Sequence, residues 1–304
     1  TALERGGDSA AIFFRDALNV DFTASGQLQL RQGVARVTSV QYQCLWQSPL
    51  HKDCFALHEN SWVKVNPETW QHEVLAHNIS DGGELFHQVV NNRVVMACDA
   101  GLYAYDGKAA GKMTVDTPAS PYAYTSGANG SISQGKYHFA VSWLSGQMES
   151  ALSETCMLDA RDGAEIALQL PYCTDANADA VRLYMTEPHG SELQFAGEYP
   201  IGQHVISIIS VPDLGRAAQF QHLSPMCTGR HLRLWRGRLI CCRMNVIHFS
   251  EPMAFHLTDE RCNFVQMPQR ITFLEPVDSG LWVGQVDHAV FLRGTDLKEL
   301  SAEI

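Results

Sequence analysis

Long apolar runs, helical periodicity and paired cysteine motifs are all missing from this chain of 304 residues. Its longest apolar stretches, such as 205–211, fall far short of the roughly 20 residues a membrane helix needs, so no membrane span is expected. The first residues lack the basic-then-apolar form of a signal peptide. No stretch sustains a 3.6-residue period, and the best helical candidate, DLKELSAEI at 296–304, is short and terminal. The nine cysteines include no CxxC pair, which argues against a zinc knuckle or a thioredoxin-type site. They stand singly apart from Cys241 and Cys242, mostly inside apolar runs such as VVMAC and RLICC. Cys44 and Cys54 could meet across a hairpin, yet the pattern as a whole fits small buried thiols in a reducing cytosol.

Basic charge is also scarce. With 22 basic against 33 acidic residues the net charge is −11, so the surface as a whole repels nucleic acid and anionic lipid. Catalytic signatures are lacking too: there is no GxSxG elbow, HExxH, Walker loop or GxGxxG. Thirteen histidines invite a metal reading, but His51, His58, His72, His77 and His87 are scattered without ligand spacing, so no metal and no cofactor is expected. The stretch DGGELF at 81–86 partly matches the Asp-x-Gly-x-x-aromatic turn of sialidase-like blades. It occurs once, has Ile79 where that turn carries Ser or Thr, and reads as a plain turn.

What is present is strand. Composition is that of an ordinary globular chain, 45% hydrophobic and 18% charged, and short apolar runs separated by Gly, Asn, Asp and Pro recur throughout. The stretch RDALNVDFTASGQLQLRQG at 15–33 alternates Leu18, Val20 and Phe22, then Leu28 and Leu30, with polar residues; this predicts two half-buried strands turning at Gly26. Four further segments share a plan of strand, turn, strand, turn, strand. They start at Cys44 (CLWQSPLHKDCFALHENSWVKVNP), Phe86 (FHQVVNNRVVMACDAGLYAYDG), His231 (HLRLWRGRLICCRMNVIHFSEP) and Ile271 (ITFLEPVDSGLWVGQVDHAVFLRG). Two echoes link them: DAGLY at 99–103 with DSGLW at 278–282, and NRVVMA at 92–97 with GRLICC at 237–242. Units of about 40 residues that cannot bury their faces alone mark propeller blades or a related stacked-sheet array.

The middle differs. A Pro/Gly/Ser-rich stretch, TPASPYAYTSGANGSI, reads as a linker, and it is followed by six short strands between Gly135 and Ser210. There Tyr137, Phe139, Val141 and Trp143 alternate against Val181, Leu183 and Tyr184, as in a β-sandwich of the fibronectin type III kind. The expected fold is therefore all-β: a β-propeller of roughly five blades, with residues 1–117 and 216–304 forming the propeller and residues 118–215 an inserted β-sandwich.

One local concentration of positive charge stands out, GRHLRLWRGRLICCR at 229–243. If Leu232 and Leu234 point inward, His231, Arg233 and Trp235 share the opposite face. Arg230, Arg233, Trp235, Arg236 and Arg238 are thus candidate partner-contact residues, for a phosphate backbone or an acidic protein surface. The plainer reading is that the arginines guard an exposed edge strand and stack on Trp235.

Several stretches together resemble a family of tailed-bacteriophage structural proteins. RDALNVDFTASGQLQLRQGVARV is similar to the hairpin that opens their β-propeller, GKYHFAVSWLSGQMESALSE to the start of their inserted fibronectin-like domain, and VDSGLWVGQVDHAVFLRGTDLKEL to their closing blade. The family's hairpin carries two or three arginines after its turn where this chain has only Arg31. The resemblance implies a non-enzymatic virion component of the tail or head-to-tail connector. It would form a homo-oligomeric ring or other multi-copy assembly in the host cytoplasm and face other tail or connector proteins; contact with nucleic acid is left open but not expected. The alternative from another class is a carbohydrate-binding or glycan-cleaving propeller acting on a cell-surface polysaccharide. A WD40-like scaffold is disfavoured because GH and WD dipeptides at blade spacing are missing.

Overall fold

The computed structural model describes residues 3–5, 12–14, 18–23, 25, 27–31, 33–50, 52–79 and 83–303. Among them there is no α-helix, only strands and a 3-10 turn at Leu297–Glu299. The chain is all-β, built from many small antiparallel sheets, and divides into two compact units, Thr1–Gln41 and Tyr42–Ile304.

The first unit holds two antiparallel hairpins. Leu3–Arg5 pairs with Ile12–Phe14, and Val20–Phe22 pairs with Leu28–Leu30 in the register Val20 to Leu30 and Phe22 to Leu28. The second hairpin is held by Thr23 N–H donating to Gln27 O at 2.9 Å and by a 2.9 Å ion pair between Arg31 and Asp21. Gly26, expected at the turn, lies outside the described residues. The strands are not half-buried as their alternation predicts: Leu18, Leu28 and Leu30 are 82%, 52% and 77% exposed.

In the second unit four sheets of four strands follow the chain as up-and-down meanders. The first comprises Gln43–Gln47, Cys54–His58, Ser61–Val65 and His72–Ala76; the second Phe86–Val90, Arg93–Cys98, Gly101–Tyr105 and Ala110–Lys112. The third comprises Arg230–Trp235, Arg238–Arg243, Val246–Phe249 and Phe264–Gln266; the fourth Ile271–Val277, Gly280–Gln285, Ala289–Arg293 and Ser301–Glu303. Each segment read from sequence as three strands thus gains a fourth. The DLKELSAEI stretch is not a helix. Asp296 caps the 3-10 turn, accepting from Lys298 N–H at 3.1 Å, and the chain then extends as the edge strand of the fourth sheet.

Two-residue turns in the left-handed region tighten these meanders: Glu59-Asn60, Asn91-Asn92 and Arg236-Gly237 all have positive φ. Such turns twist with the strands they join, and Asn and Gly reach this region at little cost. The two echoes do not have equal standing. NRVVMA and GRLICC both form the second strand of their sheets, whereas DAGLY opens a third strand and DSGLW a second.

The sheets stack in chain order through three apolar seams. Phe55, Leu57 and Trp62 of the first sheet meet Val94, Met96, Cys98 and Tyr105 of the second. Val95, Ala97 and Leu102 on the second sheet's other face meet Leu232, Leu239 and Cys241 of the third. Trp235, Ile240 and Cys242 on the third sheet's other face meet Leu274, Leu281, Val283 and Leu292 of the fourth. Arg238–Arg243, between two seams, consequently reads as a continuous apolar run rather than an alternation; Cys54–His58 does so because Tyr42 and Trp70 pack against its second face. Each fully buried side chain in these seams contributes about 1.5–3 kcal/mol relative to leaving it exposed.

Between the second and third sheets lies a β-sandwich. Tyr122–Ile132, Ala164–Gln169 and Val205–Ile208 form one sheet; Gly135–Ser145 pairs with Met148–Glu149, Cys156–Ala160 and Ala180–Met185, and Ala180–Met185 with Gln194–Pro200, in the other. The sheets close on one core, with Ile132, Ile166, Leu168 and Ile206 opposite Tyr137, Phe139, Val141, Trp143 and Leu183. Tyr184 points away from this core, on the other side of its strand. The stretch expected as a linker is largely an 11-residue strand, Tyr122–Ile132, with register shifts at Gly127. Its glycines have a packing reason: a Cβ on Gly130 would lie 2.2 Å from the Ala164 carbonyl oxygen.

Candidate functional site

The arginine-rich strand is the edge strand of the third sheet, paired with Arg238–Arg243, and its two faces turn toward the second and fourth sheets. A register shift between Arg230 and Arg233, with His231 at φ 56°, offsets the strand's start. Beyond it Leu232 and Leu234 share one face and Arg233 and Trp235 the other, as the alternation predicts. That other face meets the fourth sheet, not solvent. Trp235 is 3% exposed, packs edge-on against Phe249 with ring centroids 5.8 Å apart, and its Nε1 has no hydrogen-bond partner. Placing Trp235 on an exposed contact face is therefore corrected: the ring is buried against the fourth sheet.

The arginines bridge sheets. Arg230 pairs with Glu84 and lies over the Phe86 ring, 5.9 Å from its centroid. Arg233 Nε reaches Glu275 Oε2 of the fourth sheet at 2.9 Å. Arg236 donates to the Asp278 carbonyl, and Arg238 Nη1 to the Ser250 carbonyl at 2.7 Å. Arg230 and Arg243 border an open depression of about 470 Å³ also lined by Glu84, Asp99 and Met244. Nearly every positive charge of this cluster is thus matched within the chain, by a carboxylate or a carbonyl.

A second polar constellation was not singled out from sequence. Glu149, buried in the sandwich, accepts from Ser142 Oγ, Tyr184 OH and Arg182 Nη1, each at 2.6 Å. Arg182 also pairs with Glu198 at 3.0 Å. Burial, then the hydrogen bond to Glu149, pushes the Tyr184 phenol above its usual range. His256 Nε2 lies 2.9 Å from the Glu149 backbone oxygen, and burial holds that ring below the ordinary histidine range. The group floors a depression of about 450 Å³ whose other walls include Gln147, Phe195, Arg216 and Phe220. Its sequence signal is the Glu-Ser of SGQMES, which carries the family resemblance but reads as a fold signature.

Of the remaining sequence candidates, His58 and His72 come together with ring centroids 4.7 Å apart, and no larger group forms among the described residues. His87 is buried between the first two sheets, while His58 and His72 meet Tyr42 with ring centroids 5.6 Å away. His51 and Asp81 lie outside the described residues. Among the described residues no three His, Cys, Asp or Glu side chains gather as a metal site, and no helix is long and apolar enough to cross a membrane. All nine cysteines, Cys44 and Cys54 among them, are free thiols.

No protein family and no curated protein matches the chain. Among solved structures it is similar to a chain of the mitotic checkpoint complex, at 9% identity over 90% of this chain and 86% of that one, with a TM-score of 0.24. It is also similar to extracellular domains of a one-component and a hybrid two-component system of B. thetaiotaomicron. These are 9% and 12% identical, cover 93% of this chain and 56% and 51% of theirs, and have TM-scores of 0.21 and 0.20. At such TM-scores neither likeness bears on fold or function.

Proposed function

We propose that this chain is a non-enzymatic structural component of a bacteriophage virion, present in several copies in the tail or head-to-tail connector and facing other tail proteins. In this reading the four stacked meanders are propeller blades and the middle domain is a sandwich of the fibronectin type III kind. The sandwich's neighbour relations support the latter: one sheet joins its first, fifth and last strands, and the other is centred on Gly135–Ser145 and Ala180–Met185. Two antiparallel sheets closed on one core support a sandwich of that kind.

The observation that carries an assembly role is the outer face of the fourth sheet. Its inner residues Leu281 and Val283 are fully buried, while Phe273, Val277 and Trp282 on the other face are 44%, 38% and 44% exposed. Exposed apolar side chains clustered on one sheet face, around Glu275, mark a protein contact. The resemblance of the opening hairpin, the SGQMES stretch and the closing strands to phage structural proteins supplies the setting, and the acidic net charge fits protein rather than DNA as neighbour. The test is to sediment the purified chain over a range of concentrations and to look for it in purified virions. Multi-copy species and a place in the particle are expected. A strict monomer absent from virions, or specific glycan turnover by the purified chain, overturns the reading.

A further inference from the structure

Residues 224–229 bring the chain back from the sandwich to the third sheet, and Cys227 lies there against the strand Arg238–Arg243. Its Sγ is 4.0 Å from Cys241 Sγ, and Cys241 Sγ is 3.5 Å from the Cys227 carbonyl oxygen. Cys241 is fully buried in the seam between the second and third sheets, whereas Cys227 is half-buried. Thr228 Oγ1 donates to the Cys98 carbonyl at 2.6 Å and so fixes the return segment to the second sheet. Gly229 permits the close approach: a Cβ there would sit 2.6 Å from the Cys242 carbonyl oxygen and 3.0 Å from Cys241 Sγ.

The surroundings separate the roles of the two thiols. His248, directly opposite Cys241 across the strands, is near enough to Cys227 to favour its thiolate. The Cys241 S–H, with His248 and Arg243, holds the Cys227 thiol well below the ordinary range. Sharing that bond, together with burial, pushes Cys241 the other way. Cys242 is pushed by burial up to about 12 and faces the opposite seam, so it does not compete as a partner. A partly buried cysteine with a second thiol 4.0 Å away is the arrangement of an oxidation-sensitive cysteine and its resolving partner.

We propose that Cys227 and Cys241 form a reversible redox pair, in which a hydroperoxide oxidises Cys227 and Cys241 closes an intrachain disulfide that ties the return segment to the third sheet. The Cys227 thiolate attacks one peroxide oxygen and the O–O bond breaks. The leaving oxygen takes up a proton as water or alcohol, and Cys227 becomes a sulfenic acid. The Cys241 sulfur then attacks the Cys227 sulfur, the S–S bond forms, and the sulfenic oxygen leaves as water with the Cys241 proton. Two thiols are oxidised by two electrons and one hydroperoxide is reduced. The sulfurs must close to about 2 Å, which needs movement mainly of the half-exposed Cys227 side.

The test treats the full chain with hydrogen peroxide and maps tryptic peptides without reduction. A linked pair 217–230 with 239–243 is expected, lighter by two hydrogens and reverting to free peptides with dithiothreitol. It is lost in Cys227→Ser, on the half-exposed segment, and kept in Cys242→Ser, while exposed Cys262 forms no intrachain link. Peroxide that leaves Cys227 unreacted or drives it to an unlinked sulfinic acid overturns the proposal. So does a link that vanishes in Cys242→Ser or persists in Cys241→Ala.

Discussion

Trp62 Nε1 donates to His87 Nε2 at 3.1 Å inside the seam between the first two sheets, where the His87 ring also stacks on Trp46 at 5.0 Å and 6°. The bond requires Nε2 to be unprotonated, and burial pulls His87 down to about 3 from 6.5. The unfolded chain therefore takes up a proton that the folded chain refuses. This part of the stability is complete above the unfolded value and is lost as pH falls below it. From about pH 7 to about pH 5 the loss is about 2 kcal/mol for this one ring. His87→Gln keeps an acceptor for Trp62 but does not titrate, so urea unfolding at the two pH values should show a correspondingly smaller loss. His231 and His256, also pulled down by burial, leave a residual slope. Identical pH dependence in the variant would refute the assignment.

Glu149 provides a second check. Glu149→Ala leaves Arg182, whose side chain is 31% exposed, with Glu198 as its remaining carboxylate, and strips Ser142 and Tyr184 of their acceptor. The expected cost is about 3 kcal/mol in chemical denaturation. Tyr184→Phe removes one charge-assisted bond and costs about 1.5–3 kcal/mol. Because both changes act on one network, the double variant costs less than the two together. Strict additivity would mean that the bonds act independently.

The arginine strand yields contrasting expectations for neighbouring residues. Arg233→Ala breaks a mostly exposed ion pair and costs less than about 1 kcal/mol. Trp235→Ala opens a cavity between the third and fourth sheets and costs about 3–5 kcal/mol. Trp235→Phe also removes an unpartnered buried N–H, a group whose burial costs about 1–3 kcal/mol, and so offsets much of the lost volume. Denaturation midpoints should rank wild type and Arg233→Ala highest, Trp235→Phe next and Trp235→Ala last.

That strand also shows where the sequence stops being legible. The alternation of Leu232, Arg233, Leu234 and Trp235 is visible in it, and the structure has the same alternation. Which face is solvent is not visible, because stacking places a second sheet over the side a hairpin would leave open. The reverse occurs at Leu28 and Leu30, where a correct strand pattern comes with exposed side chains. The three-strand segments and the strands of the middle domain could be read, since they depend on local alternation and on turn residues. The Glu149 network and the Cys227–Cys241 pair join residues 33 to 35 and 14 positions apart through tertiary packing, and spacing alone gave no sign of either.

The outer face of the fourth sheet gives the sharpest test of the assembly reading. The Phe273 ring covers Gly284, where a Cβ would lie 2.1 Å from the ring, and Trp282 packs on Phe291 with centroids 4.9 Å apart. These side chains form a shallow apolar surface on a sheet whose stability comes from its other face, through Leu274, Leu281 and Val283. Replacing both exposed rings, Phe273→Glu with Trp282→Glu, adds two like charges to that surface. The unfolding free energy of the isolated chain should change by only about 0.5 kcal/mol per site, as at surface positions away from the core. Self-association, which would have to desolvate both charges, should be lost. Sedimentation at matched concentrations, with denaturation of each protein alongside, separates the two effects. If the double variant assembles like wild type while remaining folded, the fourth sheet's outer face is not the contact between copies.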